Sequence, residues 1–504
     1  MRNKYIWIEG EENFIMNLAM LSLAIIGVML CIGMLLRAKI PFIGKMLIPA
    51  SVIGGIIGFI FMNVIEPVTP LNLDCGTFGD LVDTMFVLSF ISIGLTGSQK
   101  AKKEKEPDGT KQTGPVLGGV GMGIIWCLLY GLTPVLGGIL IFIIGRAVGM
   151  SGWYGILIPF GFCQGPGQAS TYGRLFENVY GFENAEMVAL TFAVVGFIAA
   201  FGVGVPMARY GLRKKLCLYE GKINASVEKG YMGPSEKGES VGYETTHSGN
   251  IDTLAFHFAV MGITYIVTLI IAQLLNFIPV IGSSFAAMLF FCGMLAAYLV
   301  KAIMRKLKID YLIDNSLQSK ISGWLSDFLV TGAFMSIKIN VIGEWIIPIL
   351  IECVLITIVT YAVCMYFGSR LGSDHDFERV LGLYGTATGT TPSGLSLVRM
   401  VDPKLQSGAA DELGIMNASM ILTTPVMILV TLGGTKVISF WVMIGGMALS
   451  CILYLILLKV FRVWRKPSFS FAKGERYFEE ISSEEEGGER EYPDTPDMGG
   501  AVKL

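Results

Sequence analysis

Apolar residues fall along this chain in runs of about 20, the length a helix needs to cross the hydrocarbon of a bilayer. Such runs lie at about 14–36, 47–65, 80–97, 116–145 and 186–208, and again at about 253–275, 284–302, 322–340, 344–368 and 413–434. An eleventh follows at about 437–460, and the fourth is interrupted at Thr133 and Pro134. Two further stretches, about 152–176 and 379–402, are broken by small polar residues. The first carries Gln164, Gly165, Pro166, Gly167, Gln168, Ser170 and Thr171. The second carries Gly385, Thr386, Thr388, Gly389, Thr390, Thr391, Pro392 and Ser393. Lipid offers no partner to freed backbone groups, so broken helices survive in a membrane only where protein or a water-filled cavity covers them. The pattern predicts an all-α polytopic membrane protein. It has two five-helix halves, residues 1–208 and 253–435, each with one re-entrant hairpin, and an extra span within 436–466.

The polar segments order these elements. Residues 209–252 are rich in Gly, Glu, Lys and Ser and read as a flexible linker. Residues 467–504, with Glu484, Glu485 and Glu486, read as a disordered acidic tail. Basic residues cluster after every odd-numbered span: Arg37, Lys39 and Lys45; Lys100 to Lys111; Arg209 to Lys222; Arg305, Lys306 and Lys308; Arg370 and Arg379; Lys459 to Lys466. The connectors between hold acids or no charge, as in 66–83 with Glu66, Asp74, Asp80 and Asp83, with Lys436 as the exception. Positive residues stay on the cytoplasmic side. The N-terminus is therefore expected outside a cell membrane, with the linker and tail in the cytoplasm. Five spans per half then place the halves in opposite orientations, an inverted repeat. A faint echo agrees: Leu81, Asp83, Phe90, Ser92 and Ile93 recur at the same spacing as Leu325, Asp327, Phe334, Ser336 and Ile337.

Composition narrows the class. Of 504 residues 53% are hydrophobic and 15% charged, which places the chain among multi-pass membrane proteins; the net charge of −2 decides nothing because the charges are segregated. Glu9, Glu11 and Glu12 precede the first apolar run, where a cleaved signal peptide would be basic. Nine cysteines lie without a CxxC spacing, most in apolar runs, and read as small core residues. No basic patch interleaved with aromatics points to nucleic acid. No zinc-protease helix, nucleophile elbow or phosphate-binding loop is present, so no catalytic residue is assigned. The trio Asp374, His375 and Asp376 sits in a connector without a second cluster.

The broken hairpins carry the candidate chemistry. Glycine lets backbones approach a ligand, proline removes a donor, and freed carbonyls can hold a cation. Helix N-termini present N–H groups and a positive dipole end to an anion. The candidate substrate and ion ligands are Gln164, Gly165, Gly167, Gln168, Ser170, Thr171, Gly385, Thr388, Gly389, Thr390, Thr391 and Ser393, whose neutral oxygens suit a hard cation such as sodium. The bland alternative is close helix packing through small residues, which is the reading for Gly54 to Gly58 and Gly119 to Gly123. Asp83 and Asp327 sit near the starts of the third and eighth spans, toward opposite faces, and serve either as caps or in coupling. Arg399 either pairs with a substrate carboxylate or anchors the inner face. His257, inside a span, reads as a satisfied packing residue.

The run from Gly165 to Phe176, followed by Tyr180, Gly181 and Phe182, resembles the first hairpin of the bacterial glutamate:sodium symporter family. Gly385 to Gly389 with Thr391 and Pro392 resembles its second. Ile48, Pro49, Gly54 and Gly55 fit its second span, Ile93 to Leu95 its third, and Ala208 to Tyr210 the end of its fifth. The chain departs from the family pattern at Ala169 and Ala387, where glycines are usual, at Ala50 and Ser51 in place of a glutamate, and near Cys127 to Tyr130, which lack a Gln–Asn pair. The resemblance implies a secondary carrier without an organic cofactor. Sodium is the coupling ion and glutamate or a related acidic amino acid the anionic substrate, in a plasma-membrane homodimer that works by alternating access. The competing readings are a carrier of another organic anion with different coupling, and a sensor or enzyme built on the same fold.

Overall fold

A computed structural model describes residues 5–7, 15–69, 73–96, 114–218, 225–233, 240–278, 282, 286, 288–403 and 405–477. The basic loop Lys100 to Lys111, the acids Glu9 to Glu12 and the tail beyond 477 lie outside the described residues. The chain is built from helices: α1 Leu18–Lys39, α2 Ala50–Ile60, α3 Cys75–Leu95, α4 Pro115–Ile144, α5 Ile158–Phe162, α6 Pro166–Asn178, α7 Ala185–Arg213 and α8 Thr253–Asn276. There follow α9 Leu289–Lys306, α10 Asn315–Met335, α11 Ile346–Gly368, α12 Asp376–Ala387, α13 Thr391–Val401, α14 Ala409–Ala418, α15 Thr424–Gly434 and α16 Phe440–Val460. The described strands form two short antiparallel ladders, β1 Tyr5–Trp7 with β2 Ile15–Asn17, and β3 Phe469–Ser470 with β4 Glu475–Arg476.

Eight helices among the described residues are long and apolar enough to cross a membrane. Three of the eleven expected runs depart from that simple form. α9 carries Lys301, Arg305 and Lys306. α10 starts at Asn315 rather than near 322 and carries Lys320, Asp327 and four serines, Ser316, Ser319, Ser322 and Ser326. Asp327 therefore lies past the middle of its helix, not near its start. The tenth run is broken into α14 and α15 by a 3₁₀ stretch, Ser419–Thr423, with Pro425 in the first turn of α15. Conversely, the interruption expected at Thr133 and Pro134 is absent: α4 runs continuously with Pro134 inside it. A proline removes one N–H and crowds one carbonyl, and neighbouring helices can absorb both.

The helix contacts fall into two groups, each drawing on both halves of the chain. α1, α2, α3, α8, α9 and α10 pack on one another. α4 to α7 pack with α11 to α16. The principal contacts between the groups run from α3 and α10 to α6, and from α10 to α7. α3 and α10, which carry the sequence echo, lie antiparallel. Ser92 Oγ donates to the Gln318 carbonyl at 2.8 Å near one end, and Gly332 faces Val82 near the other. Glycine contacts bear out the packing reading elsewhere. A Cβ on Gly54 would lie 2.4 Å from the Met29 carbonyl oxygen, and one on Gly123 would lie 2.2 Å from Ser419 Oγ. All nine cysteines are free thiols, eight of them buried. His257 is satisfied on both ring nitrogens, by the Thr253 carbonyl at 2.7 Å and the Asp314 N–H at 2.9 Å.

Two polar regions are more ordered than their composition implied. Residues 467–477, counted with the tail, are placed by specific bonds. Ser468 Oγ donates to Asp376 Oδ2 at 2.8 Å, Arg476 Nη2 to the Asp374 carbonyl at 2.8 Å, and Tyr210 OH to the Phe471 carbonyl at 3.0 Å. The trio Asp374, His375 and Asp376 does have a second cluster. Arg379 Nε donates to Glu412 Oε2 at 2.6 Å and Arg379 Nη1 to Asp376 Oδ1 at 2.8 Å, all three side chains fully buried. A Cβ at Gly118 of α4 would collide with the guanidinium, so only glycine leaves room for it there. Arg379 is thus an interior charge of the second helical pair, not a cytoplasmic marker.

Candidate functional site

Each broken stretch folds as two short helices meeting at a tip. α5 gives way to α6 through Cys163, Gln164 and Gly165, and Gly165 has φ +79°, a conformation glycine adopts at no steric cost. α12 gives way to α13 through Thr388, Gly389 and Thr390. Proline occupies the first turn of both α6 and α13, where its missing N–H costs nothing because first-turn donors have no intrahelical partner. The two tips touch. A Cβ on Gly165 would lie 2.5 Å from Thr390 Cγ2 and 3.2 Å from the Gly389 carbonyl oxygen. Two helix N-termini, each with a positive dipole end, therefore share one junction.

The glycines of the junction differ in what they do. A Cβ on Gly167 would sit 1.9 Å from the Phe86 ring of α3. Gly389 is less tightly held, with Ser393 Oγ at 3.0 Å and Phe197 at 3.3 Å from an added Cβ. Gly385 serves the crossing of α12 and α13, since its Cβ would meet Gly394 Cα at 2.7 Å. Gly196 of α7 brings that helix against the tip, its Cβ position 2.5 Å from the Thr388 carbonyl oxygen.

The polar side chains sort into engaged and unengaged. Ser170 Oγ donates to Glu186 Oε1 at 2.8 Å and Thr171 Oγ1 to Asp83 Oδ1 at 3.2 Å, so both hydroxyls have protein partners. Thr388 bonds back to the Tyr384 carbonyl at 2.7 Å. Thr390 and Ser393 hydroxyls lie 3.4 Å apart, and Thr391 Oγ1 donates to Asn417 Oδ1 of α14 at 3.0 Å. Gln164 and Gln168 are the exception: the amide nitrogen and oxygen of each are buried without a hydrogen-bond partner, and Gln168 is 1% exposed. Leaving a buried polar group unpaired costs about 1–3 kcal/mol. Both whole amides are left so beside a junction of helix N-termini.

The remaining candidates lie around the junction. Asp83 stands at the seam of the two helix groups beside Asp80, whose carboxylate pairs with Arg174 Nη1 of α6 at 2.9 Å. Arg174 Nε also donates to Glu186 Oε1 of α7 at 2.8 Å. Asp327 and Arg399 are exposed and neither forms an ion pair among the described residues. No group of three or more His, Cys, Asp or Glu that could hold a metal occurs among the described residues.

Phe86, Phe197 and Asn417 carry no charge and no motif, so nothing in the sequence marks them. Glu352 in α11 also belongs to this neighbourhood of α4: it is fully buried with both oxygens lacking a partner, and Gly137 of α4 leaves room for it. A single acid inside an apolar span was the available signal.

Bundled apolar helices with two broken pairs meeting tip to tip define a multi-pass membrane protein of the transporter class. The model of the sodium/glutamate symporter family matches residues 15–406, most of the chain, and the protein belongs to that family. The sodium/glutamate symporters of Escherichia coli (strain K12) and Shigella flexneri are each 23% identical to it over 384 residues, covering 74% of this chain and 86% of theirs.

Proposed function

We propose that the protein is a secondary active transporter that carries glutamate, or a related acidic amino acid or organic anion, into the cell with sodium by alternating access. Two inverted five-span repeats, 1–208 and 253–435, would each contribute one re-entrant hairpin, with the N-terminus outside and the linker and tail cytoplasmic. The observation that carries the reading is the contact of the two tips, with the amides of Gln164 and Gln168 buried and unpartnered beside it. A substrate carboxylate is suited to the first-turn N–H groups of α6 and α13 and to the glutamine amides. Sodium, the co-transported ion, is suited to neutral oxygens such as those of Thr390, Thr391, Ser393 and the glycine carbonyls.

The seam between the helix groups supports alternation. α6 is covered by α3 and α10, and its residues from Pro166 to Gly173 are all buried. α13 packs on α7, α12 and α14 and leaves Pro392 and Arg399 exposed. This burial supports a state in which the site is closed on the side of the first pair and reached along the second, which with this topology is the cytoplasmic side. Sliding one group past the other would exchange the two conditions. Homodimerisation through the group without the tips is consistent with this division of labour.

The test is radiolabelled uptake into proteoliposomes. An imposed inward sodium gradient is expected to drive glutamate accumulation, and a proton gradient alone is not. Uptake of acidic substrates under a proton gradient with no effect of sodium would assign a different coupling ion.

A further inference from the structure

The side of the site that is closed is held by a cross-group ion pair. Arg174 lies about two turns past the proline that opens α6 and pairs with Asp80 of α3, one turn before Asp83, which accepts from Thr171. Gly79 makes the approach possible, since a Cβ there would crowd Arg174 Nη2 and Glu186 Oε1 at 3.1 Å each. Glu186 belongs to the same helix group as Arg174, so of the two carboxylates that Arg174 meets only Asp80 must be left if the groups slide.

The second pair also has an arginine on its second helix and an acid on the facing α10, apart from one another, although Trp324 stands at the place of Asp80. Arg399 lies about two turns past Pro392, which opens α13. Asp327 of α10 is the counterpart of Asp83 in the sequence echo. Two turns on from each stands a phenylalanine of the echo, Phe90 and Phe334. The Phe334 ring meets Phe197 of α7 at 6.3 Å between centroids, so that face of α10 looks across the seam toward the helices that carry the tips. Yet Asp327 and Arg399 are both exposed, and neither forms an ion pair among the described residues.

We propose that Asp327 and Arg399 pair in the opposite state, closing the second side of the site as Asp80 and Arg174 close the first. Neither residue is then a substrate ligand: each positions its helix. Partly exposed pairs are weak, which suits a contact made and broken in every cycle. The pair selects between two states and does not clamp one of them. The inference rests on the alternating-access reading and makes it specific to named side chains.

The experiment uses the full chain in membranes, on a background with the native cysteines replaced. Asp327→Cys with Arg399→Cys is treated with an oxidant or a short bifunctional thiol reagent. Crosslinking should rise several-fold when Asp80→Asn is added, because that change removes the ion pair across the seam and shifts the balance toward the opposite state. In parallel, Asp327→Arg and Arg399→Asp are each expected to lower the initial rate of uptake about ten-fold, and the double exchange to restore it to within about three-fold of the parent. A pair that never crosslinks, or crosslinks equally with and without Asp80→Asn, overturns the proposal. So does an exchange no better than the single changes at equal membrane abundance. If a charge reversal does not reach the membrane, Asp327→Asn and Arg399→Gln replace it and the crosslink decides. Crosslinking that responds to Asp80→Asn in a protein that moves no acidic substrate would keep the pair and reject the transport reading.

Discussion

At the scale of single residues, the site is recognised by what its side chains lack. Gln168 has no hydrogen-bond partner and is almost wholly buried, so its amide gives the fold nothing that an apolar side chain of similar size would not. Gln168→Leu is therefore expected to keep membrane abundance and to hold or raise thermal stability by about 1 kcal/mol while lowering uptake more than ten-fold. Ser170 is the contrast: its hydroxyl bonds Glu186, so Ser170→Ala should change stability before substrate affinity. Gly167→Ala should damage both, because even one methyl group meets the Phe86 ring, whereas Gly389→Ala needs neighbours to yield only by a few tenths of an ångström. Abundance on blots beside initial uptake rates checks all four. The residue types of the tips were legible in the sequence, because small polar residues inside apolar runs have few other uses. Which hydroxyls are already engaged was not, because Glu186 and Asp83 reach Ser170 and Thr171 from other helices.

At the scale of elements, the second helical pair is anchored by charge. Arg379 joins Asp376 of its own helix to Glu412 of α14 in a fully buried cluster, and removing one partner of such a cluster costs about 3–5 kcal/mol. Arg379→Met is expected to lower the melting temperature and abundance severely, more than any change at the tips. His375, in the connector before α12, adds a pH dependence. Burial pushes its imidazole down, but hydrogen bonds to Asp374 and Glu412 outweigh that and raise it to about 9. A group with a raised folded value binds its proton more tightly in the folded protein, so its contribution is complete below about 6.5 and is lost as pH climbs through about 9. The wild-type protein should lose thermal stability over that window relative to His375→Gln, and parallel melting curves would remove His375 from the account. Sequence alone placed Asp374, His375 and Asp376 in an isolated connector because their partners come from α12, α14 and residues 467–477, separated along the chain and joined only by folding. Helix existence was legible from the apolar runs. Breaks outside the two hairpins were not: Pro134 is absorbed inside α4 by its neighbours, while Ser419–Thr423 unwinds without a glycine.

At the scale of the molecule, order along the chain and order in space differ. The sequence divides into two halves, but the contacts divide the helices into two groups that each draw on both halves. Nothing in a hydropathy pattern distinguishes helices that will carry the tips from helices that will stand against them. The antiparallel packing of α3 on α10 is what an inverted repeat would entail, and the span count, the alternating charge and the echo around Asp83 and Asp327 were its traces in the sequence. The topology predicts that single cysteines placed in 225–245 and 480–500 react with an impermeant reagent only from the cytoplasmic side; labelling from outside at either place contradicts it.

The central claim is that one junction between two helix tips binds a carboxylate substrate together with sodium. Equilibrium binding of radiolabelled glutamate to the purified protein tests it most directly, with sodium or with potassium in its place, for the wild type and for Gln168→Leu. The account predicts saturable binding that requires sodium in the wild type and is weakened more than ten-fold by the substitution in a protein that is still folded. Binding to the wild type that is indifferent to sodium, or sodium-dependent binding that Gln168→Leu leaves unchanged, would contradict it.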